Sequence, residues 1–267
     1  MRQRTAVWTM GSLTLIVSLV FMVGLAAGYS GAPQVQVTDI MPACATCHSM
    51  LKAEYTPERP AEYSTGELPT NKHYKALETG DKGYKLMPED KRKALLEQVK
   101  WVDDNSSVTL TAPTTAKPGQ TIEVTVETKG GIGPAVGVFL LDLPLRFQAR
   151  PIATDGWFIV GKPTVVGTDG KEQSWWLDKR ANEKKNLGFV LVQAKADVEK
   201  KVLPTTKVTW NVRAPVDPGT YTITAGFSYG TEEPDEHKDG KLQPAPGGSS
   251  GPSGRTAFSD TVTVTVK

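Results

Sequence analysis

Cysteine is scarce in this chain of 267 residues: Cys44 and Cys47 are the only two. That excludes any disulfide framework beyond one very small loop. Histidine is scarce as well, His48, His73 and His237 being the full set. Closed structural zinc sites use four ligands, typically two Cys-x-x-Cys-like pairs, so zinc here would have to recruit a distant histidine or carboxylate. General acid–base chemistry is poorly supplied, and no Ser/His/Asp set or phosphate-binding loop is visible. An excess of one charge is also missing. The chain has 31 basic and 29 acidic residues, and Arg2 and Arg4 account for the difference of +2. A neutral remainder argues against nucleic acid as a partner and against strong electrostatic docking of the whole body.

What is present is concentrated. Both cysteines fall in Cys44-Ala45-Thr46-Cys47-His48, the Cys-x-x-Cys-His pattern of covalent c-type haem attachment. In that chemistry the thiols add across the haem vinyl groups, and the adjacent imidazole of His48 becomes the proximal iron ligand. Three plainer readings compete with it: half of a zinc site, a thioredoxin-like redox pair and a tight structural disulfide. The redox pair belongs at a helix start in a βαβ unit, and no βαβ pattern surrounds this one.

Residues 6–28 contain no charged side chain. As a helix this 23-residue run would span roughly 34 Å, enough for a hydrocarbon core of about 30 Å. Arg2 and Arg4 precede it, so the N-terminus is expected in the cytoplasm and the remainder outside. A cleaved signal peptide is the rival, because Ala26, Ala27 and Gly28 are small, but its apolar core is usually shorter. Either way, residues beyond about 30 are expected outside the cytoplasmic membrane. The localisation expected is a bacterial inner membrane, single-pass, with the exported part periplasmic.

Residues 29–43 read as a linker, spanning at most about 50 Å when extended. Residues 44–104 are expected to form a small helical haem module. Its clearest helix is Pro88–Val102, with proline and two acidic residues at the start and Leu95, Leu96, Val99 and Val102 at helical spacing. A shorter helix is expected over 72–79. Beyond Asp104 the period changes to two: Ile122, Val124 and Val126, then Val208, Trp210 and Val212, then Val262, Val264 and Val266, each alternate with polar residues. Further strands are expected at 107–112, 135–141, 156–161, 187–194 and 220–228. Lys117-Pro118-Gly119, Gly130-Gly131, Asp169-Gly170 and Asp217-Pro218-Gly219 separate the strands as turns. Residues 105–267 are therefore expected to form an all-β sandwich. Within it, 243–256 reads as a flexible low-complexity excursion and 232–239 as a solvated acidic loop. Trp175-Trp176 is either an interface anchor or a plug at one end of the sandwich.

With its apolar N-terminal run, Cys-x-x-Cys-His motif and late alternating strands, the chain resembles a membrane-anchored monohaem c-type cytochrome fused to an immunoglobulin- or fibronectin type III-like domain. The sandwich part of that resemblance rests on Trp210, Ala214-Pro215 and Pro218-Gly219-Thr220-Tyr221-Thr222-Ile223. It implies a multi-domain fold: a transmembrane helix, a small α-helical cytochrome c-like module and a C-terminal immunoglobulin-like sandwich. It also implies one covalent haem c, held by Cys44, Cys47 and His48, on the exported side. For the sixth iron ligand three positions resemble known segments. His73, in Asn71–Leu77, resembles the histidine segment of multihaem-type cytochromes. Met87, in Leu86-Met87-Pro88, resembles the Met-Pro of small class I cytochrome domains. Met50 completes Cys-x-x-Cys-His-x-Met, which resembles a haem motif of membrane-anchored quinol-oxidising proteins. His73 is the first choice, then Met87, then Met50. The function expected is electron transfer to a redox partner protein or membrane complex, in a respiratory or photosynthetic assembly, with the sandwich as docking module. The alternative is a haem-based redox or gas sensor or ligand-binding module, which needs an open sixth position.

Overall fold

The alternation of Val124, Val126, Val208, Trp210 and Val212 with polar residues has a direct structural result. Two long neighbouring strands each bury one face and leave the other in solvent. The computed structural model describes residues 68–144, 150–178, 187–233, 235–236, 242–243 and 253–267. In chain order the elements are helix α1 (Pro69–Thr79), a 3-10 turn (Lys82–Tyr84), helix α2 (Glu89–Asn105), and strands β1 (Ser107–Thr111), β2 (Thr115–Ala116), β3 (Thr121–Lys129), β4 (Ala135–Leu143) and β5 (Arg150–Pro151). A second 3-10 turn (Ile152–Asp155) leads to β6 (Phe158–Ile159), β7 (Thr164–Val166), the short helix α3 (Trp175–Asp178), β8 (Phe189–Gln193), β9 (Thr205–Arg213) and β10 (Gly219–Gly230). The last four strands are β11 (Asp235–Glu236), β12 (Leu242–Gln243), β13 (Gly254–Phe258) and β14 (Val262–Val266).

Two sheets form a β-sandwich. The first runs β1-β3-β9-β6, with β7 also on β9. The second runs β2-β14-β10-β4-β5, with β13 also on β10 and β8 also on β4. In the second sheet the long pair β4 and β10 is central, Gly226 opposite Phe139, and short strands share each outer edge. Ser259 bridges the gap between β13 and β14: its amide donates to the Ala225 carbonyl and its hydroxyl accepts from the Ala225 amide. One continuous apolar core joins the sheets, including Val124, Val126, Val208, Trp210 and Val212 from the first and Val138, Leu140, Ile223, Ala225, Phe227, Val264 and Val266 from the second. Trp210 satisfies its indole N–H by donating to the Leu187 carbonyl at 2.7 Å, as buried tryptophans usually do.

The expected strands lie where the periodicity places them, but the short strands β2, β5, β7, β11, β12 and β13 carry no such signal, and β11 and β13 fall in stretches expected to be loop. The first sheet keeps its alternation, but β4 and β10 are buried on both faces through most of their length. Trp175 and Trp176 supply part of the reason. Trp176 is buried and meets Phe189 edge-on at 5.7 Å, while Trp175 is half-buried against the same core. The pair therefore packs on the sandwich.

The expected fold class needs correction. Of the described residues 42% are in strands and 23% in helices, so sheet dominates and no separate α-helical cytochrome c-like module is seen among them. Helices α1 and α2 lie where the sequence pattern puts them, but they dock on the end of the sandwich. Val102 of α2 belongs to the sandwich core, and α2 runs through Ser106 directly into β1. The transmembrane anchor expected at 6–28 and the linker at 29–43 lie outside the described residues. Among the described residues no helix is long and apolar enough to cross a membrane.

Candidate functional site

Cys44, Cys47, His48 and Met50, the proposed haem attachment set and one alternative ligand, lie outside the described residues. The described residues do hold His73 and Met87. Pro69 opens α1 at its first turn, and Gly80, left-handed at φ 73°, closes it with its amide near the last carbonyls. His73, Ala76 and Leu77 therefore share the buried face.

His73 is fully buried, and both ring nitrogens are engaged. Nδ1 lies 3.1 Å from Nη2 of Arg255. A guanidinium only donates, so Nδ1 accepts and the proton of the ring sits on Nε2. Nε2 is 2.7 Å from the Glu232 carboxylate and 2.7 Å from the Tyr84 hydroxyl. The Tyr84 hydroxyl in turn donates to Oε1 of Glu232. The rings of His73 and Tyr84 stack at 5.7 Å.

On the other side of Arg255, Nε and Nη2 clamp the two oxygens of Asp103 at 2.9 and 3.0 Å. This is the bidentate geometry in which an arginine–carboxylate pair is strongest. The Tyr74 hydroxyl donates to Oδ2 of Asp103 at 2.9 Å. The result is one buried chain, Tyr84–Glu232–His73–Arg255–Asp103–Tyr74, joining both helices to the segment after β10 and to β13.

Its tyrosines are held in the protonated form. Burial pushes the Tyr84 phenol far above its ordinary value, and the neighbouring Glu232 charge adds to that, against a smaller opposing effect of Arg255. Tyr74 is raised by burial and by Asp103, and Tyr229 by burial and then by Asp103. The Tyr84 and Tyr74 hydroxyls therefore donate to Glu232 and Asp103 over the ordinary pH range.

This arrangement bears on the iron-ligand expectations. A metal at either nitrogen of His73 would have to displace Arg255 or the Glu232–Tyr84 pair. Met87 is half-buried and packs against the cluster of Ala76, Leu77, Tyr84 and Val99. Its backbone carbonyl accepts from Arg92 at 2.9 Å. Among the described residues no group of three or more His, Cys, Asp or Glu is placed to hold a metal ion.

Two members of the chain were not legible locally. Glu232 falls in the stretch expected to be a solvated acidic loop, yet it is buried. Arg255 falls in the stretch expected to be a flexible excursion, yet it lies in β13 and is fully buried. Asp103 and Arg255 are 152 positions apart, Tyr84 and Glu232 148. No local periodicity reports a pairing at that separation.

The outer face of the first sheet carries a second feature. Ser107, Thr109, Glu127, Lys129, Thr205 and Lys207 floor an open polar groove of about 480 Å³, walled by the turn after β7. Lys207 and Glu127 pair across it at 3.4 Å. Next to it Thr111, Thr125, Thr209 and Thr164 stand in register across four strands. These are solvated side chains with no nucleophile–base pair among them.

No protein-family model matches the chain, and no curated protein matches it. Solved structures match the chain only weakly. One is the C-terminal domain of the Streptococcus agalactiae AgI/II polypeptide BspA, with TM-score 0.29 and 14% identity, matching 60% of this chain and 50% of that one. Another is the CARDB domain of a Pyrococcus furiosus protein in complex with di-metal ions, with TM-score 0.24, 14% identity, and coverage of 61% and 88%. The adhesive subunit CfaE of the Escherichia coli CFA/I fimbria has TM-score 0.22 and 11% identity, over 58% and 48%. The chain thus spans about half the length of the BspA and CfaE structures. Likeness this slight carries nothing about activity. The resemblance to a membrane-anchored monohaem cytochrome is therefore corrected. The described helices that were to form its haem module dock on a β-sandwich instead.

Proposed function

We propose that this chain is an exported, membrane-tethered electron-transfer protein, with one haem c bound covalently through Cys44 and Cys47 and ligated by His48. The sandwich and its docked helices would form the scaffold that meets a redox partner protein or membrane complex. The observation that carries the proposal is the motif itself. The only two cysteines of the chain and one of its three histidines fall within five consecutive residues at haem-attachment spacing. The apolar run at 6–28 supports export, where two cysteines confined to one motif leave no competing disulfide partner. When bound, such a group supplies one-electron redox chemistry. The part assigned to the described residues is mechanical. The Arg255–Asp103 clamp and the His73–Glu232 contact dock the helices that follow the motif in sequence on the sandwich.

Expression of the full chain with a haem-maturation system tests this. The expected product carries one haem per chain that survives denaturation, and Cys44→Ala with Cys47→Ala abolishes it. A matured chain without covalent haem would end the proposal. Rapid CO binding by the reduced protein would replace electron transfer with ligand binding.

A further inference from the structure

The hairpin of α1 and α2 has an apolar cluster of its own, separate from the core of the sandwich. Ala76, Leu77, Tyr84 and Val99 are its buried members, with Tyr74, Met87, Leu95 and Leu96 packed around them. The sandwich core takes from the hairpin only Val102 and the flanking Trp101, both in the last turns of α2. Between the two clusters the named contacts are polar. His73, Tyr74 and Tyr84 on the hairpin meet Glu232 and Arg255 on the sandwich and Asp103 just past Val102. Gln98 donates to the Thr231 carbonyl at 3.4 Å.

A polar seam differs from an apolar one in how it fails. An apolar seam loosens by degrees. A buried network of charges is satisfied only as a whole, because a partner left behind in low dielectric is costly. Asp103 lies just past Val102 and stays with Arg255, so lifting the hairpin breaks the links of His73, Tyr74, Tyr84 and Gln98 together and opens the Arg255–Asp103 pair and Glu232 to water. The hairpin keeps its own cluster when it leaves, and the sandwich keeps its own core.

We infer that residues 69–100 form a detachable strap, keyed to the sandwich by Arg255 and hinged at Trp101–Val102, which opens as a unit while the sandwich stays folded. The strap follows the Cys44–His48 segment in sequence. Opening it lengthens the chain between that segment and the sandwich, and so the reach of whatever the motif carries. The opening itself depends on neither the motif nor iron.

Native-state hydrogen exchange on the full-length chain in detergent, over a series of low urea concentrations, reads the strap directly. In the unmodified protein, amides of 70–100 are expected to exchange about tenfold or more faster than those of β3 and β9, through an opening with weak urea dependence. Arg255→Met is expected to raise hairpin exchange a further tenfold or so and leave β3 and β9 unchanged. Hairpin and strand amides exchanging together through one global opening in the unmodified protein would overturn the inference, whatever becomes of the variant. So would an Arg255→Met protein whose strands are affected as much as its hairpin, or whose hairpin is unaffected.

Discussion

Gly226→Ala puts the packing of the second sheet to a quantitative test. Gly226 is central in β10, opposite Phe139 of β4, and the Phe139 ring lies across it. A Cβ added there would stand 2.2 Å from two ring carbons and 2.8 Å from a third. Side-chain carbons do not approach that closely, so the ring must move by more than 1 Å. It has little room, because Phe139 is buried and meets Phe258 edge-on at 6.5 Å. Overpacking of this kind costs roughly 1–3 kcal/mol, and three ring atoms in conflict place it near the top. Replacing glycine stiffens the unfolded chain and returns about 0.4–1 kcal/mol. The net expectation is a loss of about 2 kcal/mol, or about 4–8 °C in Tm for a body of this size. Urea unfolding followed by tryptophan fluorescence measures it. Phe139→Leu should relieve the clash, so the double variant should be more stable than the sum of the singles by about 1–2 kcal/mol. A contrast comes from Gly119→Ala. Nothing lies within 4 Å of that Cβ, but φ is +69°, so its cost of about 1 kcal/mol is purely backbone and Phe139→Leu should not alter it. A Gly226→Ala protein within 0.5 kcal/mol of the parent, or strict additivity with Phe139→Leu, would refute the steric argument.

Two further predictions concern the buried polar chain. His73→Leu removes the acceptor for Arg255 and the donor to Glu232, and should destabilise the docked helices by about 2–4 kcal/mol in urea unfolding; in haem-loaded protein the absorption spectrum and CO response should not change, because the ring is bonded on both nitrogens within the protein. Tyr74, Tyr84 and Tyr229 should stay un-ionised well above pH 10 in an ultraviolet titration. The linkage has a definite sign. Their folded pKa values are raised above the unfolded value of about 10, so the folded state holds protons that the unfolded state releases. The stabilisation is complete below pH 10 and declines as pH rises beyond it, and stability that rises between pH 10 and 11 would contradict the burial of these hydroxyls.

Much of the fold was legible because it is locally encoded. Period-two alternation locates β3, β9 and β14, and Pro88 with Glu89 and Asp90 locates the start of α2 to within a residue. Where the chain departs from local encoding, the expectation failed. Helical periodicity over 88–102 marks a buried stripe without saying what covers it, so helices that dock on a sandwich read as an independent module. Glu232 and Arg255 sit among residues typical of solvated loops, and only their distant partners make burial tolerable.

The sequence by itself determined the chemistry it can offer and the periods of its elements. Two cysteines beside a histidine, a charge-free run near the N-terminus and alternating strands are properties of neighbouring residues, and short-range physics is enough to read them. The tertiary structure alone decided what His73 does. Its surroundings come from residues 11, 159 and 182 positions away, brought together by sheet pairing and sandwich closure. A side chain's partners are set by that long-range geometry, which is why only the folded chain shows His73 bonded on both ring nitrogens, to Arg255 on one side and to Glu232 and Tyr84 on the other.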